Sequence, residues 1–160
     1  MRFACYWLSL WDGDAPPTRE SFDPRKVVEL LPGIGLVDMH EDKGPICRLS
    51  GTAIDRALGR PVTGTNLLDF LPEKDRGTRL TRLNAILDGG ISVSRTAFST
   101  RHGTSNFVET LQLPLYGRCE TGTRQYLAHA NWRPNMGFAK DAAPGLKLGL
   151  PETFELVSFT

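Results

Sequence analysis

The sequence predicts an α+β fold in which five strands form antiparallel neighbours and helices are inserted between the second and the third. Three observations carry this. Two strand-like segments, Ile34 to His40 and Pro45 to Ser50, flank the turn Glu41-Asp42-Lys43-Gly44 and make a hairpin. A run from Glu73 to Asp88 has an apolar residue every third or fourth position, the period of a helix. Three further strands, roughly Ile91 to Thr100, Phe107 to Tyr116 and Gln125 to Trp132, are joined by short turns, which impose antiparallel pairing.

The chain begins with an aromatic stripe. Phe3, Tyr6, Trp7, Leu10 and Trp11 recur on one side of two to three helical turns. The stripe has two readings, docking onto the domain's own surface or contact with a second copy or partner, because aromatic residues are enriched in interface cores. Gly13 to Ser21 reads as a linker. Asp23 then caps a helix with Pro24 at its first position and Val27, Val28, Leu30 and Leu31 on its apolar side, and Pro32-Gly33 stops it. After the hairpin, Gly51 and a capping Thr52 open a brief helix that lies against one face of the sheet, followed by the glycine-punctuated loop Gly59 to Gly64. Asn66 to Pro72 gives one further turn. In the long helix Leu80, Leu83, Ile86 and Leu87 form the buried side, and Arg76, Arg79 and Arg82 read as a solvated face in preference to a phosphate-binding stripe, with Gly89-Gly90 as the stop. In the fourth strand Phe107, Leu111, Leu113 and Leu115 face one way, Val108, Thr110, Gln112 and Tyr116 the other. The segment from Pro134 is rich in Gly, Pro, Ala and Lys and reads as flexible, with Phe154 to Phe159 as an edge strand or docking segment.

Composition bounds the function. A chain of 160 residues with 40% hydrophobic and 23% charged residues and a net charge of +1 suits one globular domain with short extensions, and lacks the basic footprint of a nucleic-acid binder. Cys5, Cys47 and Cys119 have no CxxC spacing and no histidine at metal-ligand intervals, so neither a metal site nor a disulfide framework is indicated. Reduced thiols point to the cytoplasm. The apolar start is cut short by Asp12 and Asp14, which excludes a membrane span and a signal peptide.

Phe22-Asp23-Pro24, Leu31-Pro32, Leu36-Val37-Asp38, Arg48-Leu49-Ser50-Gly51-Thr52, Gly59, Thr63-Gly64 and Glu109-Thr110-Leu111-Gln112-Leu113-Pro114-Leu115 resemble, in order and spacing, the PAS domain family and within it small stand-alone bacterial proteins. The resemblance runs from about Pro17 to Pro134. It implies a five-stranded antiparallel sheet with helices packed on one face, a core domain at 34–134, an N-terminal helical extension and linker at 1–33 and a flexible or docking tail at 135–160. It also implies a sensory or regulatory module that acts through another protein, a signalling component or a second copy of the chain, dimerising through the N-terminal helix. A small ligand between sheet and helices would meet Ile54, Leu58, Leu67, Phe70, Leu83, Leu87, Phe98, Leu111 and Leu113, with Arg48 and His129 as polar groups.

Neither flavin nor haem is expected. Ile46-Cys47-Arg48-Leu49 lies in the second strand rather than on a helix and lacks the asparagine that precedes a photoactive cysteine, so Cys47 reads as a small buried hydrophobe. The long helix has no histidine to serve as an axial ligand; His40 and His102 sit near turns, and His129 lies in the last strand. No nucleophile elbow, phosphate loop or suggestive carboxylate pair is present, so no catalytic residue is assigned. The alternative is a small α+β cavity enzyme of the isomerase or dehydratase kind, using Asp38 and His129. If the first strand lies between the second and fifth, Arg48, Asp38, His129 and Glu109 would form a row across four strands, in a register that one slip would scatter.

Overall fold

The computed structural model describes residues 2–13, 15–99, 105–116, 124–132 and 153–158. The strands are β1 (Ile34–His40), β2 (Gly44–Ser50), β3 (Gly90–Ser99), β4 (Ser105–Tyr116), β5 (Arg124–Trp132) and β6 (Thr153–Ser158). They form one sheet in the order β2-β1-β5-β4-β3-β6, and every pairing is antiparallel. The hairpin and the three later strands stand within one or two residues of where alternation and turn residues put them. The sheet has six strands rather than five: Phe154 to Ser158, read as either an edge strand or a docking segment, pairs along β3 with Ile91 opposite Val157. The residues from 133 to 152 lie outside the described ones.

Both faces of this sheet are buried. Val37 and Met39 of β1 and Tyr126 and Ala128 of β5 pack under helix α3 (Glu73–Leu87), against Leu83, Ile86 and Leu87. Residues of the other parity, Ile34 and Leu36 of β1, Leu113 and Leu115 of β4 and Leu127 of β5, cluster with Phe3 and Trp7 of helix α1 (Arg2–Leu8) and with Phe22 and Val27. Trp7 is fully buried and its indole Nε1 donates to the Pro114 carbonyl at 2.9 Å. Tyr6 Oη both donates to the Asp23 carbonyl and accepts from the Asp23 amide, pinning α1 to the next segment. The N-terminal stripe thus covers the chain's own sheet, and helices lie on both faces rather than one.

Pro24–Gly33 forms 3₁₀ turns rather than one α-helix: Val27 leaves helical geometry at φ −135°, ψ 32°, which lets its side chain turn into the core while Asp23 caps the Arg25 amide. Helix α2 (Thr52–Leu58) is capped by Gly51, with Thr52 already inside it. The glycine is there for space. A Cβ at Gly51 would stand 2.3 Å from the carbonyl oxygens of Leu31 and Pro32, and the Gly51 amide bonds the Ile34 carbonyl at 2.9 Å. A short 3₁₀ turn at Leu67–Phe70 follows, capped by Asn66, whose side chain accepts from the Leu68 amide at 2.9 Å.

The arginines of α3 are less solvated than expected, each partly buried. Arg76 and Arg82 each hold a guanidinium nitrogen out of reach of solvent, and Arg79 is desolvated against Tyr126. The reason is geometric: positions 76, 79, 83 and 86 follow at steps of three and four, so the arginines continue toward the N-terminus the stripe that Leu83 and Ile86 bury.

Gly51→Ala is expected to destabilise the chain by about 1–3 kcal/mol, because backbone carbonyls cannot step aside. Gly77→Ala, where a Cβ meets nothing within 4 Å in an exposed turn of α3, is expected to stabilise it by about 0.5–1 kcal/mol. Urea unfolding of the two variants beside the unaltered chain checks both signs.

Candidate functional site

The α3 side of the sheet does not close completely at the hairpin end. There β1 runs into its turn, β5 begins, and Leu68 and α3 approach from above, leaving a cavity of about 550 Å³. Met39 and Arg124 of the sheet form its floor, Leu80 and Asn84 of α3 one wall, Leu68 another, and the turn from His40 to Gly44 its rim. Local chemistry holds that rim. Gly44 adopts φ +72°, a left-handed conformation that glycine enters without steric cost. Asn66 Nδ2 donates to the Lys43 carbonyl at 2.6 Å and ties the turn to the 3₁₀ segment. Arg124, less than half exposed, pairs with the largely exposed Asp88, and a pair so open to water adds little stability. Three apolar side chains, Met39, Leu68 and Leu80, thus share the cavity with Asn84, Arg124 and the charged turn, a mixed lining that could take a small polar molecule.

Deeper in the same layer the sheet is unusually polar. Ser92, Ser94, Thr96 and Gln112 are buried, and Ser92 Oγ donates to Gln112 Oε1 at 3.1 Å. Tyr126, fully buried, presents an Oη whose own hydrogen finds no acceptor among the described residues; burial pushes its pKa up to about 12 against the opposing pull of the Arg79 guanidinium beside it. Burial likewise pulls the Arg79 guanidinium below its ordinary value, and the neighbouring Arg82 charge adds to that.

The residues expected to wall a pocket fall into three groups. Ile54, Leu58, Leu67 and Phe70 pack with Cys47 and Val62 in the core beneath α2. Leu83 and Leu87 fill the layer under α3. Leu111 and Leu113 are on the opposite face, against α1, because the helix-side residues of β4 are those of the other parity, Val108 and Gln112 among them. Arg48 and His129 share that opposite face. The Arg48 side chain is 62% exposed and meets Asp38 Oδ2 at 3.4 Å, whereas His129 stacks on Phe3 with ring centroids 5.4 Å apart. The side chain of Phe98 lies outside the described residues, as does His102. Among the described residues, none of those expected lines this cavity.

Of the two readings of the aromatic stripe, the structure has docking onto the chain's own surface: Phe3 and Trp7 are buried and Tyr6, Leu10 and Trp11 partly so, all against its core. The row of Arg48, Asp38, His129 and Glu109 is not assembled. Asp38 stands opposite Gln125, which donates to Oδ1 at 2.6 Å, while His129 stands opposite Ile34 and Glu109 opposite Arg95 and Asn131. His129 is therefore four residues along β5 from the partner of Asp38, about 13 Å away, and the acid–base pair of a cavity enzyme is not formed. A bulge between Leu36 and Val37 leaves Arg48 without a register partner. Cys47 is buried, and burial together with the Asp55 and Asp38 charges pushes its thiol up to about 11, which makes it inert at neutral pH.

Among the described residues no group of acidic, histidine and cysteine side chains is placed to hold a metal, and no helix is long and apolar enough to cross a membrane. A family model described as a PAS domain matches residues 1–126. Solved structures similar to this chain include the LOV domain of the blue-light photoreceptor Aureochrome1 (15% identity, TM-score 0.47, 69% of this chain and 88% of that one). Others are PAS domains of a protein from Colwellia psychrerythraea (9%, TM-score 0.46, 68% and 95%) and of an HTR-like protein from Haloarcula marismortui (16%, TM-score 0.42, 68% and 91%). No curated protein matches the chain.

Burial against Phe3 holds the pKa of His129 below its ordinary value. The unfolded chain then binds a proton that the folded chain refuses, so the stability His129 permits is complete above about pH 6.5 and declines as pH falls through the unfolded value toward the folded one. Denaturant midpoints between pH 7.5 and 5 are expected to fall, and His129→Gln to flatten that part of the profile.

Proposed function

The chain belongs to the PAS domain family, and from that premise we propose that it is a sensory module whose small ligand enters the layer between α3 and the sheet through the cavity at the hairpin end. The observation that carries this reading is the cavity itself. Its volume of about 550 Å³ falls within the roughly 300–1,000 Å³ of small-molecule sites, and its lining draws on the sheet, α3, the 3₁₀ segment and the hairpin turn together. Signal output would be contact with another protein, a second copy of the chain included. Val93 and Val157, half exposed side by side near the β3–β6 edge on the face away from α3, favour such a contact. The reading is non-catalytic, in keeping with the separation of Asp38 from His129.

Leu80→Trp, which extends an indole from α3 toward the cavity, is expected to exclude the ligand while leaving the fold intact. Native mass spectrometry of the gently purified full chain, with melting temperatures across a collection of small metabolites, reads this out. A mass retained by the unaltered chain and lost from Leu80→Trp supports the reading. Equal retention by both, or an unaltered chain that holds no mass and responds to no compound, overturns it.

A further inference from the structure

The described residues leave a set of hydrogen-bond donors unanswered beneath α3. Nε of Arg76, Nη1 of Arg82 and Oη of Tyr126 are all shut off from solvent, and among the described residues no acceptor takes their hydrogens. The Arg79 guanidinium points its own donors at the Tyr126 oxygen and is repelled by Arg82. A guanidinium cannot shed its proton to escape burial, so the positive charge stays. Among the described residues the one carboxylate paired with this series is Asp69, which meets Arg76 at 4.0 Å with most of its side chain in water. Arg79 and Arg82 have none; Arg82 lies instead over the Phe154 ring of β6, 4.6 Å from its centroid.

Charge and hydrogen-bonding capacity together specify what is missing. A water molecule would supply lone pairs but no negative charge, and a neutral amide would satisfy one donor and leave two cations facing each other. An oxyanion supplies both, and the planar fork of arginine matches carboxylate and phosphate oxygens. We propose that Arg79 and Arg82, with Tyr126 donating its hydroxyl hydrogen, bind the carboxylate or phosphate group of a small ligand between α3 and the sheet. This rests on the ligand-sensing reading above and names the chemical class of the ligand.

The test uses the full chain, isothermal titration and thermal unfolding, with octanoate, inorganic phosphate and the neutral octanamide as probes. Octanoate or phosphate is expected to bind and raise the melting temperature, and octanamide not to. A preference between the two anions identifies the source of the oxyanion. Arg79→Met is expected to weaken anion binding about tenfold or more, as loss of a charged hydrogen bond does. The same variant is expected to raise the melting temperature of the ligand-free chain, because it removes a desolvated charge with no carboxylate beside it among the described residues, and a merely structural arginine would give the opposite shift. Tyr126→Phe, which keeps the ring, is expected to weaken binding with little change in fold. If octanamide binds as well as octanoate and Arg79→Met leaves binding unchanged, the oxyanion inference fails and the ligand reading stands. If no probe binds and native mass spectrometry of the unaltered chain shows no retained mass, both fail.

Discussion

A sheet with apolar residues of both parities needs two covers, and the rest of this structure follows from how they are supplied. One cover, α3, arrives between the hairpin and the last three strands; the other is the N-terminal segment, which must return across the sheet from the far end of the chain. The contact that fastens it is the Trp7 indole on the Pro114 carbonyl. Proline in an interior strand gives up a ladder donor, and here its carbonyl is claimed by a side chain from outside the sheet. With Phe3, Trp7 and Phe22 in place, the face carrying Leu113, Leu115 and Leu127 is sealed by packing alone. The other face can then afford polar groups and a cavity, because stability does not rest on it exclusively.

That division explains which parts of the fold were legible in the sequence. Strand limits were readable because each ends at a local signal: Pro32-Gly33 before β1, the Glu41 to Gly44 turn, Gly89-Gly90 before β3. The absolute facing of the strands was not. Alternation in β4 separates Leu111 and Leu113 from Val108 and Gln112 correctly, but no local pattern says which set looks at α3, and the more apolar set proved to face α1. Register was beyond reach for the same reason. Asp38 and His129 are both on the α1 side of the sheet, yet the stagger of β1 on β5 puts Gln125 beside Asp38.

The candidate site was less legible than the fold. Its lining comes from Met39, Leu68, Leu80 and Arg124, residues from four elements with no shared motif. One signal was present and misread. Arg76, Arg79 and Arg82 suggest a solvated face when taken alone, but Arg79 and Leu83 are four apart and Leu83 and Ile86 three apart, so a buried leucine already marked the direction in which the arginines point. The edge strand β6 had its apolar alternation in the sequence, but only the β3 backbone determines whether such a segment pairs at home or elsewhere.

The two halves of α3 carry opposite energetic burdens. Its C-terminal half buries Leu83, Ile86 and Leu87, each contributing about 1.5–3 kcal/mol on leaving water. Its N-terminal half carries the arginines, and an unpaired buried charge costs several kcal/mol. The first term is large enough to offset the second, which is why the helix stays docked with a desolvated guanidinium in it. The offset is not uniform along the helix, however. Local opening is cheapest where buried apolar contacts are fewest, and that is the end where Glu73, Lys74, Gly77 and Thr78 are all exposed. Arg82, stacked on Phe154, stands near the boundary between the two halves and in contact with the edge strand β6. A rearrangement of the arginine end of α3 would thus be felt at the opposite edge of the sheet without disturbing the leucine anchor or the α1 cover.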